Sequence, residues 1–247
     1  MRTKTLLIAA AALAVGIVAS SAQTYSQNIV GYVNMPLPLG FSVVSIPLNS
    51  GAATGNALTN TIVNTGQLDG AFLYQWTGST YAAITFDSGM PTGFGDAGDS
   101  FSVPTPVINP GTAFLINNNT GVLLTNTFVG SVAVNSLPGT TTNNLPAGYK
   151  FVSSVLPVAG GLSTVQQLTN NFPVGTLDGS FIYIPKIVSG AIHGYTILTI
   201  DSSMPQGYAD AGDSFSVPEP VFPISGGFLY NNNLGVGTVQ WVQTLNP

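Results

Sequence analysis

Nine residues, Asp96-Ala-Gly-Asp-Ser-Phe-Ser-Val-Pro104, recur without a change as Asp210-Ala-Gly-Asp-Ser-Phe-Ser-Val-Pro218. An identity of that length at one fixed offset makes the chain a tandem duplication, so any fold proposed for it must be built twice. Shorter matches keep the same order: Leu37-Pro-Leu-Gly40 with Leu145-Pro-Ala-Gly148, Leu68-Asp-Gly70 with Leu177-Asp-Gly179, and Asn117-Asn-Asn119 with Asn231-Asn-Asn233. Leu-Thr-Asn60 likewise aligns with Leu-Thr-Asn170. One mismatch stands out: copy two reads Ile-Ser-Gly226 where copy one reads Pro-Gly before Thr112 and Ala113.

Each copy reads as β structure. Asn28–Asn34 and Phe41–Ile46 are β-branched runs closed by Pro or Gly, and Phe72–Trp76 with Tyr81–Phe86 forms a hairpin across Thr77–Thr80. Asp87–Asp99 reads as an irregular Gly-rich loop, and Ala113–Asn117 with Val122–Val129 makes a last hairpin. Leu58 and Ile62, four apart, predict one helical turn, and Leu162, Val165 and Leu168 predict another. The expected fold class is all-β: two tandem homologous β-sandwich or barrel-like domains, each with one short helical turn. Phe128–Val132 resembles Ile29–Val33, which starts copy two's first strand where copy one ends. Asn135–Asn144 is then the one loose segment. The hairpin of copy two is five residues longer, around Lys186–Gly194, and carries the only histidine, His193, as an exposed loop residue.

Residues 1–22 carry the pattern of a secretory signal peptide: Arg2 and Lys4, an apolar run from Leu6 to Val18, then small residues at Ser20-Ser21-Ala22. The expected divisions are residues 1–22 as leader, 23–134 as β domain one and 135–247 as β domain two. No second long apolar run follows, so the sequence predicts a secreted or cell-surface protein that is not integral to the membrane. Without the leader, Lys150 and Lys186 face eight Asp and one Glu, a formal charge of −7 with no arginine. Phosphate recognition needs clustered Lys and Arg, which excludes nucleic acid as a partner. Cysteine is absent, so disulfides and thiol chemistry are excluded. A surface wetted by hydroxyls and amides has weak like-charge repulsion, which points to self-association.

These motifs together resemble a family of exported tandem-repeat β proteins from environmental bacteria of the verrucomicrobial kind. The residues that carry the resemblance are Ile29-Val-Gly-Tyr-Val33, Leu37–Leu48, the Phe72–Phe86 hairpin ending in Asp87, Asn109–Asn117, and the junction from Thr127 to Tyr149. The resemblance implies an exported β protein and brings no activity with it.

The eight Asp residues fall in matched pairs, 69/178, 87/201, 96/210 and 99/213. Beside Gly, Ser and Ala, Asp accepts backbone N–H bonds in Asx-turns, and turn chemistry is the plain reading of all four pairs. Calcium is the sharper one, because hard cations take clustered carboxylates: Asp87, Asp96 and Asp99 in copy one and Asp201, Asp210 and Asp213 in copy two are its candidate ligands. Ile84-Thr-Phe-Asp-Ser-Gly89 also resembles the Asp-Ser/Thr-Gly signature of pepsin-like and retroviral aspartic proteases, which would make Asp87 and Asp201 a catalytic pair. Copy two reads Asp-Ser-Ser203 there, without the Gly. Zinc is implausible with one His and no Cys. Tyr74, Trp76, Tyr81, Tyr183 and Tyr195 could stack on sugars, although alternation along strands favours packing for most. The function these features predict is a non-catalytic surface, matrix or structural protein. The alternative is a module that binds a cell-surface glycan or is stabilised by calcium. An aspartic-type hydrolase comes third.

Overall fold

The structure is a computed structural model, and it describes residues 30–246 apart from 63–65, 98–100, 102, 104, 135–137, 170–171, 213–214 and 236. The leader, Asp99 and Asp213 therefore lie outside the described residues. Copy one contains β1 (Val30–Leu37), β2 (Gly40–Ser45), the single-turn helix α1 (Leu58–Thr61), β3 (Phe72–Trp76), β4 (Tyr81–Phe86), β5 (Phe94–Asp96), β6 (Ala113–Asn118) and β7 (Leu124–Ser131). Copy two contains β8 (Gly139–Leu145), β9 (Gly148–Ser153), β10 (Gly160–Gly161), β11 (Phe181–Val188), β12 (Ala191–Ile200), β13 (Tyr208–Asp210), β14 (Val221–Phe222), β15 (Gly227–Asn232) and β16 (Val239–Leu245).

Each copy folds to the same plan. A five-stranded antiparallel sheet, β2-β6-β3-β4-β5 or β9-β15-β11-β12-β13, is covered on one face by a two-stranded ribbon, β1–β7 or β8–β16. The ribbon joins the first strand of the copy to its last, so each repeat closes on itself. Between ribbon and sheet lies a core. In copy one it holds Met35, Leu37, Leu73, Phe86, Phe94, Phe114 and Phe128; in copy two it holds Leu145, Ile182, Tyr208, Phe228, Tyr230 and Trp241. The middle Asn of each Asn-Asn-Asn run pins this closure. Asn118 Nδ2 donates to the carbonyls of Leu37 and Val122, both at 2.8 Å, and Asn232 Nδ2 donates to those of Leu145 and Gly237. A buried amide satisfied in this way ties the end of the first strand to the turn that follows β6 or β15. The hairpin expected from Ala113–Asn117 and Val122–Val129 does not form, because β6 pairs with β2 and β3 in the sheet while β7 crosses over to β1 in the ribbon.

The second faces of the two sheets meet each other. Phe114 and Ile116 point into the core of copy one, while Ala113 and Leu115, between them in sequence, join Phe151 in a third cluster shared by both copies. That explains the unalternated run Ala113-Phe-Leu-Ile: a strand buried on both faces has no polar side to show. The seam is reciprocal. Ser45 N–H donates to the Ser225 carbonyl at 2.8 Å, and its repeat counterpart Ser153 N–H donates to the Gly111 carbonyl at 3.1 Å. Bridges Val44–Gly226 and Thr112–Val152 repeat the symmetry. The duplication thus behaves as an isologous dimer inside one chain.

Several sequence expectations are corrected here. The first strand of copy two is β8, beginning at Gly139; Phe128–Ser131 belongs to β7, which pairs with β1. Most of the segment expected to be loose is thus ladder: Gly139–Leu145 pairs with Val239–Leu245. The Asp87–Asp99 stretch is not wholly irregular, since Phe94–Asp96 adds an edge strand to β4. His193 lies exposed on β12 and not in a loop, because a register shift at Pro185/Ile187 lets the longer hairpin stay paired up to Ser189-Gly190. Both of those turn residues have positive φ, 50° and 81°, as a tight primed turn requires. The Leu-Thr-Asn match is out of step: Leu58 N–H bonds Pro106 O and Leu162 N–H bonds Pro220 O, so Leu58 corresponds to Leu162 and not Leu168. From there copy two makes one turn, Val165 N–H to Gly161 O, before Gln167 goes left-handed at φ 62°.

The seam tolerates little. A Cβ on Gly227 would overlap that of Ala113 and press on the Val152 carbonyl. Ser225 occupies the left-handed conformation, φ 66°, that Gly111 holds in copy one at 91°, and its buried hydroxyl has no partner among the described residues. Opposite outcomes are therefore expected in urea unfolding. Gly227→Ala should cost about 1–3 kcal/mol by overpacking. Ser225→Gly should gain about 1 kcal/mol by relieving the strained backbone and the orphan hydroxyl. A neutral Gly227→Ala would refute close contact at the seam.

Candidate functional site

The carboxylates come first. Asp69 and Asp178 do the same work in the two copies: Asp69 accepts from Ser88 N–H at 2.8 Å and Ser88 Oγ at 2.6 Å, and Asp178 from Ser202 N–H at 2.9 Å and Ser202 Oγ at 2.7 Å. Asp87 Oδ1 accepts from Gly89 N–H, Asp201 Oδ1 from both N–H and Oγ of Ser203, and Asp210 Oδ1 from Gly212 N–H. Each is a carboxylate bonded to a donor two residues on, which is Asx-turn geometry. The Ser203 hydroxyl and amide hold the Asp201 carboxyl below its ordinary value.

Asp87 and Asp96 bracket one loop, with Asp96 at the end of β5, and Asp201 and Asp210 do so in copy two. Among the described residues no three His, Cys, Asp or Glu side chains come together. Glu219, the lone glutamate, caps a turn: Oε1 accepts from the amides of Ser163 and Thr164, and Oε2 accepts from Thr164 Oγ1 at 2.8 Å.

The aromatic residues form a more connected arrangement. Alternation puts Leu73, Ile84 and Phe86 into the core of copy one and leaves Phe72, Tyr74, Trp76 and Tyr81 on the face toward the seam. From Phe41 the rings run to Tyr74 at 5.8 Å, Tyr81 at 6.4 Å, and Trp76 at 5.0 Å from Tyr81. Tyr81 then meets Phe151 of the other copy at 6.1 Å, and its hydroxyl lies near that of Tyr195, its own repeat counterpart. On the far side Tyr195, Tyr183 and Tyr149 continue at 6.1 Å and 5.6 Å. Trp76 Nε1 donates to the Tyr149 carbonyl at 3.0 Å, one more tie across the copies. Centroid spacings of this size suit edge-to-face contact. Tyr81 (39%) and Tyr149 (45%) remain partly open to solvent, so the row is both the glue of the seam and a surface.

Burial pushes the Tyr81 phenol up to about 12, with Tyr195 adding to the effect. Burial also raises Tyr183, helped by the Tyr149 hydroxyl, and raises the core residues Tyr208 and Tyr230.

At the Phe41 end the symmetry breaks. The Ser189-Gly190 tip of the longer hairpin reaches copy one, where the Phe41 N–H donates to the Gly190 carbonyl at 2.8 Å. Gly40 lies so close that a side chain there would overlap the Gly190 backbone. Beside this contact opens a cleft of about 680 Å³ between the hairpin tip, the start of β2 and the Asn117–Asn119 turn. Sequence reading singled out Tyr74, Trp76, Tyr81, Tyr183 and Tyr195, and the structure joins them in one row. It did not find Phe41, Tyr149 or the cleft. The signal for the cleft was the five extra hairpin residues, whose destination only the fold reveals. No protein-family model, curated protein or solved structure matches this chain.

A pH dependence follows from the phenols. Neutral Tyr81 is favoured in the folded state, so its contribution is whole below pH 10, the ordinary value, and is lost as pH rises through about 12. Melting temperature should fall across that window, and Tyr81→Phe, which cannot ionise, should flatten part of the fall in a calorimetric pH series. An unchanged slope in Tyr81→Phe would remove the seam phenol from the account.

Proposed function

We propose that this protein is an exported, non-catalytic structural component of a cell surface or matrix, which self-associates through the outer face of the β1–β7 ribbon. The observation that carries the reading is an apolar patch on that face. Val30 is 67% exposed, Tyr32 is 73% exposed, and Val129, directly opposite Tyr32 in the ladder, is 65% exposed. Contiguous exposed apolar groups mark interaction surfaces more often than isolated ones do. Copy two presents Thr140, Thr142, Asn144, Gln240 and a half-buried Val242 on the matching face of its ribbon, which is therefore mostly polar.

Further support comes from the edge of β1, which among the described residues pairs with β7 alone. An unpaired edge invites addition of another strand, and a chain with two lysines and nine carboxylates after its leader has little charge with which to repel a neighbour. The internal seam is isologous and therefore closed, so any assembly has to use other faces such as this one. The leader pattern and the resemblance to exported tandem β proteins support export, and among the described residues no helix is long and apolar enough to cross a membrane.

Light scattering of residues 23–247, in calcium and again in EDTA, tests the reading. Assembly in both buffers is expected, and Tyr32→Lys should raise the concentration needed for it by about tenfold or more, which corresponds to about 1.4 kcal/mol. A monomer in both buffers would sink self-association. Assembly lost only in EDTA would transfer the role to the paired Asp loops and calcium.

A further inference from the structure

We propose that the cleft at the junction of the two copies binds a neutral oligosaccharide, with Phe41 and Leu39 as its stacking surface. Its volume, about 680 Å³, falls within the range of small-molecule sites. The chemistry of its lining selects the ligand class. Leu39, Phe41, Asn117, Asn119, Ser189 and Gly190 supply apolar surface, amides, a hydroxyl and backbone, and no lining residue carries a charge. Without Lys or Arg the cleft offers nothing to a phosphate or a carboxylate, and without Asp or Glu nothing to a cation. An uncharged ligand rich in hydroxyls, with flat C–H faces, is what such a lining complements.

The amides are placed for that use. An Asn side chain presents a donor and an acceptor side by side, which matches vicinal hydroxyls. Asn118, between the two, is buried and committed to Leu37, Val122 and Thr120. Asn117 and Asn119 make no side-chain hydrogen bond among the described residues, which leaves both amides to a ligand. Phe41 lines the cleft and packs on Tyr74, whose ring belongs to the seam cluster, so Phe41 with Leu39 is the stacking surface offered to a sugar face. The copy-two hairpin tip forms one wall, which gives its extra residues a role: the cleft occurs where the duplication is unequal.

The test is affinity electrophoresis of residues 23–247 through gels holding one neutral polysaccharide each (hydroxyethylcellulose, xylan, laminarin or mannan), with alginate as the acidic control. Retardation by at least one neutral polymer and not by alginate is expected. Asn119→Ala, at an exposed side chain that leaves the fold intact, should weaken it about threefold, and Asn117→Ala with Asn119→Ala by about tenfold or more, at unchanged melting temperature. Tyr32→Lys, on the far ribbon, should retain full retardation, which keeps this result separate from self-association. Free migration in all four neutral gels would overturn the proposal. So would retardation by alginate alone, or retardation that the double Asn variant leaves untouched.

Discussion

Two backbone hydrogen bonds, from Ser45 to Ser225 and from Ser153 to Gly111, hold the second faces of the two sheets against each other, and most of the architecture depends on that closure. Each five-stranded sheet already buries one face under its ribbon. If the other face were open to water, Ala113, Leu115, Phe151 and Leu229 would be exposed together. Burying them across a pseudo-twofold axis removes that surface and makes the two repeats a single body. A chain without disulfides needs apolar burial of this kind.

The symmetry is imperfect in ways that have consequences. Ala113 faces Gly227, because two Cβ atoms will not fit there, and Ser225 holds a backbone conformation that suits Gly111. The five extra hairpin residues end in a primed turn that contacts Gly40 and Phe41, while the shorter hairpin of copy one makes its own tie from Trp76 to Tyr149. One end of the molecule thereby gains a neutral cleft, and one ribbon face gains an apolar patch at Val30, Tyr32 and Val129. The proposed self-association and sugar-binding roles both sit where the copies differ. Asp69, Asp87, Asp178, Asp201 and Asp210, by contrast, accept from turn amides and hydroxyls.

The β character, the duplication and the hairpin at Phe72–Phe86 were legible because each rests on local pattern: alternation, β-branched runs, and Gly or Asn at turns. The ladders bear this out, with Phe72 opposite Thr85 and Trp76 opposite Tyr81. What was misread depended on pairing between distant segments. Gly139–Leu145 is a polar, Thr-rich run that resembles a linker, and becomes a strand only because Val239–Leu245 lies beside it. Leu162 and Leu168 both look like partners for Leu58, and the choice between them is made by the Pro220 carbonyl, more than fifty residues further along the chain.

The aromatic residues show where the division falls. That Tyr74, Trp76, Tyr81, Tyr183 and Tyr195 share strand faces follows from sequence alone, since side chains alternate with a period of two. Which face is core, and that Tyr81 meets Tyr195 across an axis, was decided by the docking of the two sheets. By itself the sequence determined a duplicated β chain with few charges, no cysteine and Asp-capped turns, because composition and short-range backbone chemistry suffice for these. Only the tertiary structure decided the closed seam, the direction of the longer hairpin and the cleft beneath its tip. Those features arise from surfaces that are remote in the chain and become neighbours only when both repeats have folded.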